Sequence, residues 1–197
     1  EKIYGILNGT TNFMLSEMEE NKCSYKEALI AAQKKGLAES NPDLDVSGKD
    51  SAHKLAILSM IGFGINISCD DIYVEGIERI EHIDIENAAR WGYSIKLLAI
   101  SKEVNGEVEL RVHPTLISRK NLLSDVRGED NAIFVKGDLA GETLLFGKGA
   151  GRKPTSSSVL GDIVDIACGM NEKKEENKVE YIFAYNSLDQ KLKAMDK

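Results

Sequence analysis

Between Gly36 and Leu58 the chain reads GLAESNPDLDVSGKDSAHKLAIL, placing Glu39, Asp43, Asp45 and Asp50 ahead of an apolar run that carries Lys54. Four carboxylates crowded beside a lysine are costly unless something uses them. Asp50 and Lys54 are four apart, so on a helix they share a face in the favourable acid-before-base order. A lysine among carboxylates stays protonated and can give a proton or hydrogen bond to a developing alkoxide. Glu39 and Asp45 can fold back over that face from the preceding loop, and spare carboxylates can hold a substrate ammonium. The same spacing equally describes a solvated loop followed by a surface helix with one ion pair. Calcium fits poorly. Asp43, Asp45, Ser47 and Gly48 fall at positions 1, 3, 5 and 6 of an EF-hand-like loop, but position 12, which needs a glutamate, is Lys54.

A second informative stretch is FGKGAGRKPTSSSVLGDIVDIACGM. Gly147, Gly149 and Gly151 follow a strand-like run and precede a helical one, so their backbone N–H groups could hold a phosphate. The pattern is not G-x-G-x-x-G, and no acidic ribose partner or βαβ unit follows it. A plain strand–turn–helix connection fits as well. Cys23, Cys69 and Cys168 form no C-x-x-C pair, and His53, His82 and His113 do not cluster with them. No metal is therefore expected. Free thiols suit a reducing, cytoplasmic compartment.

The elements that must position these residues follow from pattern and punctuation. After a short strand-like run (KIYGIL), Asn8-Gly9 reads as a turn and Thr10 or Thr11 as the cap of a helix to about Met18. Ser24 and Glu27 form a capping box for a helix over 25–35, stopped by Gly36, with Ala28, Leu29 and Ala32 inward. The polar segment 37–49 leads to a helix over about 50–61, with Gly62 and Gly64 as breakers. Residues 71–77 are short and β-rich, and 84–91 reads as a helix closed by Gly92. Asn105-Gly106 predicts a type I′ hairpin between 94–104 and 107–112, with Val108, Leu110 and Val112 on one face and His113-Pro114 at its end. A further strand pair, 131–135 and 142–146, flanks GDLAG. Pro154 suits the first turn of a helix over 157–166 whose Val159, Ile163 and Ile166 face inward. The run NEKKEENK reads as a charged linker, and YIFAY as a strand or a packing segment. Antiparallel strands mixed with helices on one face make an α+β fold with a mixed, largely antiparallel sheet.

Composition bounds the possibilities. The chain has 197 residues, 42% hydrophobic and 29% charged, which suits an ordinary globular protein. A net charge of −7 leaves no basic stripe for phosphates, so no nucleic-acid partner is expected. No apolar run has membrane-spanning length, so no membrane partner is expected either. The chain opens on Glu1 inside a strand-like run with no signal peptide, and reads as part of a longer protein.

Taken together, the stretches resemble homoserine dehydrogenase, to about residue 170. GILNGTTNFML is similar to the motif entering that family's substrate domain. AESNPDLDVSGKDSAHKLAIL is similar to its signature, with Glu, Pro, Asp, Gly, Asp and Lys at this spacing. EGI, GYSIKLLA, VHPTLI and GKGAGRKPTSSSVLGDIVDIA follow in the family's order. The resemblance implies that Lys54 is the proton donor, oriented by Asp50. It implies that Glu39 meets the substrate's amino end, and that Asp45 and Thr10 line the same pocket. Gly149, Ala150 and Gly151 would lie close to the nicotinamide nucleotide. Leu37 stands where the family usually has Tyr, and Ser40-Asn41 replaces the usual Ala-Asp.

The resemblance further implies NAD(P)-dependent, reversible reduction of aspartate 4-semialdehyde to homoserine, in threonine, methionine and isoleucine biosynthesis, by a cytoplasmic homodimer. The expected division is a substrate-binding, catalytic and dimerisation domain over 1–146, a glycine turn and helix returning to a cofactor domain over 147–170, and a tail over 171–197. The family's N-terminal Rossmann domain has no counterpart in this sequence, so the chain by itself is not expected to bind NAD(P). The alternative is a non-catalytic dimerisation or ligand-binding module.

Overall fold

The computed structural model describes residues 1–171 and the pair 192–193. Its strands are β1 (Lys2–Ile6), β2 (Tyr73–Val74), β3 (Tyr93–Val104), β4 (Glu107–Ser118), β5 (Asp130–Gly137), β6 (Gly141–Lys148) and β7 (Leu192–Lys193). They form one sheet in the order β2-β4-β3-β1-β5-β6, with β7 also beside β4. Neighbours are antiparallel except β2 and β7, which both run parallel to β4. This is the mixed, largely antiparallel α+β sheet expected.

The helices are α1 (Gly9–Asn21), α2 (Tyr25–Lys34), α3 (Asp43–Val46), α4 (Lys49–Phe63), α5 (His82–Arg90) and α6 (Arg152–Asn171). Helices α1, α2, α4 and α5 bury Phe13, Met18, Ala28, Leu55 and Ile85 in one core with sheet residues Leu97, Ala99, Val108, Leu110 and Val112. Successive strand residues point to opposite faces, so Leu98 and Ile100 instead join Ile6 and Ile117 in a smaller cluster beneath Leu123 and Val126. The Asn105-Gly106 hairpin forms with positive φ at both residues (55° and 81°), as a type I′ turn requires. The Ser24–Glu27 capping box is present, and its hydrogen bonds from the Ser24 backbone and side chain hold the Glu27 carboxyl below its ordinary value.

Several expectations are corrected. Asn8, not Thr10 or Thr11, caps α1: its backbone is extended and its side chain accepts from Thr11 N–H. β4 does not stop at His113-Pro114 but runs to Ser118. Its partner β2 pairs only with Arg111 and Val112, so Pro114 lies on an edge where a missing N–H costs no ladder bond. α4 passes through Gly62 and ends at Gly64, whose φ is +66°. A Cβ on Gly62 would lie 2.6 Å from Ile3 Cδ1, so the glycine lets α4 approach β1 closely. The β-rich segment 71–77 yields only the two residues of β2. Val159, Ile163 and Ile166 are more than half exposed, not inward, because no element among the described residues covers that stripe of α6. The charged run beyond Asn171 and the YIFAY run lie outside the described residues.

Candidate active site

Three chain segments meet where the carboxylates lie. The first is the entry to α1, where Asn8 closes the helix start with its side chain. The second is α3, a single helical turn inside the segment read as loop. The third is the start of α4. Gly48 joins the last two at φ +83°, with Val74 Cγ1 3.1 Å and Val112 Cγ1 3.3 Å from where a Cβ would stand, so only glycine fits this left-handed turn. That turn carries Asp45 on α3 and Asp50 on α4 to the same amide. Asn8 Nδ2 donates to Asp45 Oδ1 at 2.6 Å and to Asp50 Oδ2 at 2.9 Å. Lys54 Nζ donates to Asp50 Oδ2 at 2.7 Å and to the Leu7 carbonyl at 3.1 Å. An ammonium has three donors, so one remains for a ligand. The Lys54 side chain is 48% exposed and that of Asp50 21%.

Two clefts flank this cluster. One, of about 440 Å³, is the more polar of the two and carries four carboxylates; its lining includes Thr10, Glu39, Asp45, Asp50, Glu129 and Ala150. The other, of about 420 Å³, is largely apolar, with Leu7, Ile57, Leu58, Ile133, Leu145 and Phe146. Lys54, Asn131 and Gly149 line both. Glu129 accepts from Lys148 Nζ at 2.5 Å. That hydrogen bond holds the Glu129 carboxyl below its ordinary value and raises Lys148.

Lys54, Asp50, Asp45, Glu39, Thr10, Gly149, Ala150 and Gly151 all lie at these clefts, whereas Asp43 lines neither. Lys54, Asp50 and Asp45 are joined through hydrogen bonds, and Glu39 lines the polar cleft with an exposed side chain. Thr10 lines it too, but its hydroxyl donates to the Leu37 carbonyl at 2.8 Å and fastens the loop wall. Leu37 therefore takes part through its backbone. Gly149, Ala150 and Gly151 line the polar cleft, and Gly149 also the apolar one. Gly149 approaches Asn131 so closely that a Cβ would stand 2.5 Å from Asn131 Nδ2, and Leu145 and Phe146 offer an exposed apolar wall. Sequence reading missed Asn8, Glu129 and Asn131. Asn8 was legible as a cap, since Asn-Gly-Thr-Thr ahead of an apolar run is an N-terminus signal. Glu129 and Asn131 come to the site through strand pairing and carry no local signal. Among the described residues, no group of three or more His, Cys, Asp or Glu side chains is placed to hold a metal ion, and no helix is long and apolar enough to cross a membrane.

A helix-backed, largely antiparallel sheet with a carboxylate–lysine cleft makes this an α+β domain. The family model for homoserine dehydrogenase matches residues 1–164, and the chain belongs to that family. It is 52% identical over 163 residues to the homoserine dehydrogenase of Helicobacter pylori, covering 83% of this chain and 39% of that protein. The crystal structure of a homoserine dehydrogenase from Thiobacillus denitrificans superimposes with a TM-score of 0.82 at 47% identity, covering 84% of this chain and 38% of that one. A hyperthermophilic archaeal homoserine dehydrogenase mutant solved in complex with NADPH matches with a TM-score of 0.69 at 27% identity, over 86% of this chain and 48% of that one. The chain thus spans less than half the length of each of these relatives.

Proposed function

We propose that this chain supplies the substrate-binding and proton-donating part of an NAD(P)-dependent homoserine dehydrogenase, which reduces aspartate 4-semialdehyde reversibly to homoserine. The observation that carries the reading is that Lys54 stands in the wall between an acidic cleft and an apolar one. The acidic cleft suits the amino-acid end of the substrate, with Glu39 and Asp45 receiving its ammonium. The apolar cleft suits a flat nicotinamide ring beside Gly149, with Ala150 and Gly151 following on the side of the acidic cleft. A nicotinamide cofactor, when bound, supplies the hydride that adds to the aldehyde carbon. As the carbonyl π pair moves onto oxygen, the free N–H of Lys54 stabilises the growing charge and transfers its proton there. Asp50 and the Leu7 carbonyl hold the ammonium in place meanwhile, and exposure of Lys54 lets solvent return the proton.

The same reading assigns residues 1–146 to substrate binding and dimerisation, 147–170 to the return toward a cofactor domain, and 171–197 to a tail. The exposed apolar stripe of α6 supports the second assignment. The sheet face around Tyr4 and Phe134, whose rings stack at 5.9 Å, supports a homodimer contact. Reducing cytoplasm suits the three free cysteines.

The test is aspartate 4-semialdehyde-dependent oxidation of NADPH by the complete dehydrogenase carrying this chain. Turnover is expected, with Lys54→Ala lowering kcat by roughly 10²–10⁴. Near-native turnover in that variant sinks the assignment. Binding of L-homoserine with no reduction under any cofactor would instead leave a ligand-binding module.

A further inference from the structure

Asn8 spends all of its hydrogen-bonding capacity on the site. Its Nδ2 gives one hydrogen to Asp45 and one to Asp50. Its Oδ1 accepts the backbone N–H of Thr11 at 2.9 Å and lies 3.0 Å from the Thr11 hydroxyl. The amide has one orientation available, because Thr11 N–H needs an acceptor and the carboxylates need donors. Asn8 is only 5% exposed although it lines the acidic cleft.

We propose that Asn8 is a positioning residue of the site: its single amide holds the Asp45 and Asp50 carboxylates side by side and thereby fixes where the Lys54 ammonium stands. Two carboxylates brought to one nitrogen repel, and without a donor between them they separate or take up a proton. Asp50 Oδ2 is the shared point, receiving Asn8 Nδ2 at 2.9 Å and Lys54 Nζ at 2.7 Å. Leu7, whose carbonyl is the second anchor of Lys54, is the residue next to Asn8. One backbone turn therefore sets both contacts of the proton donor. The kinetic consequence rests on the dehydrogenase reading, whereas the carboxylate consequence does not.

Asn8 also caps α1, so a test must separate clamp from cap. Asn, Asp and Ser cap helices about equally well. Asn8→Asp keeps shape and cap but turns two attractions into two repulsions. Asn8→Ser keeps the cap but is too short to bridge both carboxylates. In a crystal structure of the Asn8→Asp chain, the Asp45 and Asp50 carboxylates are expected to stand further apart and Lys54 Nζ to have left Asp50 Oδ2. In the complete dehydrogenase, both variants are expected to lose kcat roughly ten- to a hundredfold. The KM for the aldehyde is expected to change far less than kcat in both.

Superimposable Asp45, Asp50 and Lys54 side chains in Asn8→Asp and native chains would overturn the clamp whatever the enzyme does. Losses in both variants that simply follow thermal stability would reduce Asn8 to a cap and overturn it too. Should Asn8→Asp fail to fold, Asn8→Ser decides alone: native kcat refutes the proposal, and a loss at native thermal stability supports it. A native enzyme inactive on the aldehyde would sink the dehydrogenase reading and leave the structural comparison standing.

Discussion

Lys54 Nζ lies 2.7 Å from Asp50 Oδ2, one turn apart on the same face of α4, and the pair sits half in solvent. An exposed ion pair of this kind contributes about 0–1 kcal/mol to stability. Its worth must lie in chemistry, and that separates two observables. Lys54→Ala is expected to shift the thermal midpoint little while lowering kcat roughly 10²–10⁴-fold, because the proton donor is gone and the fold is not. Calorimetry of the variant chain and steady-state kinetics of the complete enzyme check the two halves. A large loss of stability with retained turnover would reverse the assignment.

The next residue behaves in the opposite way. Leu55 is fully buried among Met18, Ala52, Val112 and their neighbours in the main core. Leu55→Ala removes apolar contacts and leaves a cavity, which costs about 2–5 kcal/mol. Urea unfolding is expected to show that loss, with the rate per folded molecule changed far less than in Lys54→Ala. Adjacent positions on α4 thus divide cleanly between packing and chemistry.

Those two residues also mark how far the sequence could be read. The 3.6-residue pattern of α4, the capping box of α2 and the Asn105-Gly106 hairpin are local signals, and each element formed where its signal lay. Lys54, Asp50, Asp45 and Glu39 fall within sixteen positions of one another, so local pattern was enough to bring them together. Asn131 and Glu129 reach the cleft only because β5 pairs with β1, which delivers Leu7 and Asn8. Register of that kind is a long-range property with no trace in a local window. Asn8 was misread as a turn because Asn-Gly serves turns and helix entries alike. The inward packing expected for Val159, Ile163 and Ile166 failed for another reason: periodicity says that a stripe wants cover, not that cover exists.

Gly149 gives a prediction about the wall between the two clefts. A Cβ there would stand 2.5 Å from Asn131 Nδ2 and 3.0 Å from its Cγ. Gly149→Ala must therefore push the Asn131 amide aside, and the end of a side chain can move at modest cost. The expected outcome is a small change in thermal midpoint with a raised KM for substrate, cofactor or both. Asn131→Ala is expected to reproduce the kinetic change, and the double variant to be no worse than either single one, because both act on the same amide. Additive losses in the double variant would show that Gly149 acts independently of Asn131.

Lys96 carries the last prediction, and it concerns stability against pH. Its side chain is 1% exposed, with Nζ donating to Asn12 Oδ1 at 3.0 Å and to the Val126 carbonyl at 2.5 Å. Asn12 in turn donates to the Val126 and Asp130 carbonyls, which ties α1 to the segment leading into β5 and Asn131. Among the described residues no carboxylate contacts the ammonium directly; Glu19, Glu20, Asp125 and Arg127 act on it from further away. Burial is the largest influence, and it pushes the pKa from the ordinary 10.5 down to about 8. Below about pH 8 both folded and unfolded chains keep this proton, and the cost of burying the charge is felt in full. Between about 8 and 10.5 the unfolded chain holds more of the proton, so this group's contribution to stability rises with pH, by roughly 3 kcal/mol over the whole interval. Other groups titrate in the same range, so the quantity to follow is the native stability minus that of Lys96→Met, from urea unfolding at a series of pH values. That difference is expected to climb across the interval. Lys96→Met keeps the hydrogen bond from Asn12 to Val126, so the variant should fold. A flat difference would mean that Lys96 keeps an ordinary proton affinity inside the core, and that its two carbonyl-type partners offset the burial completely.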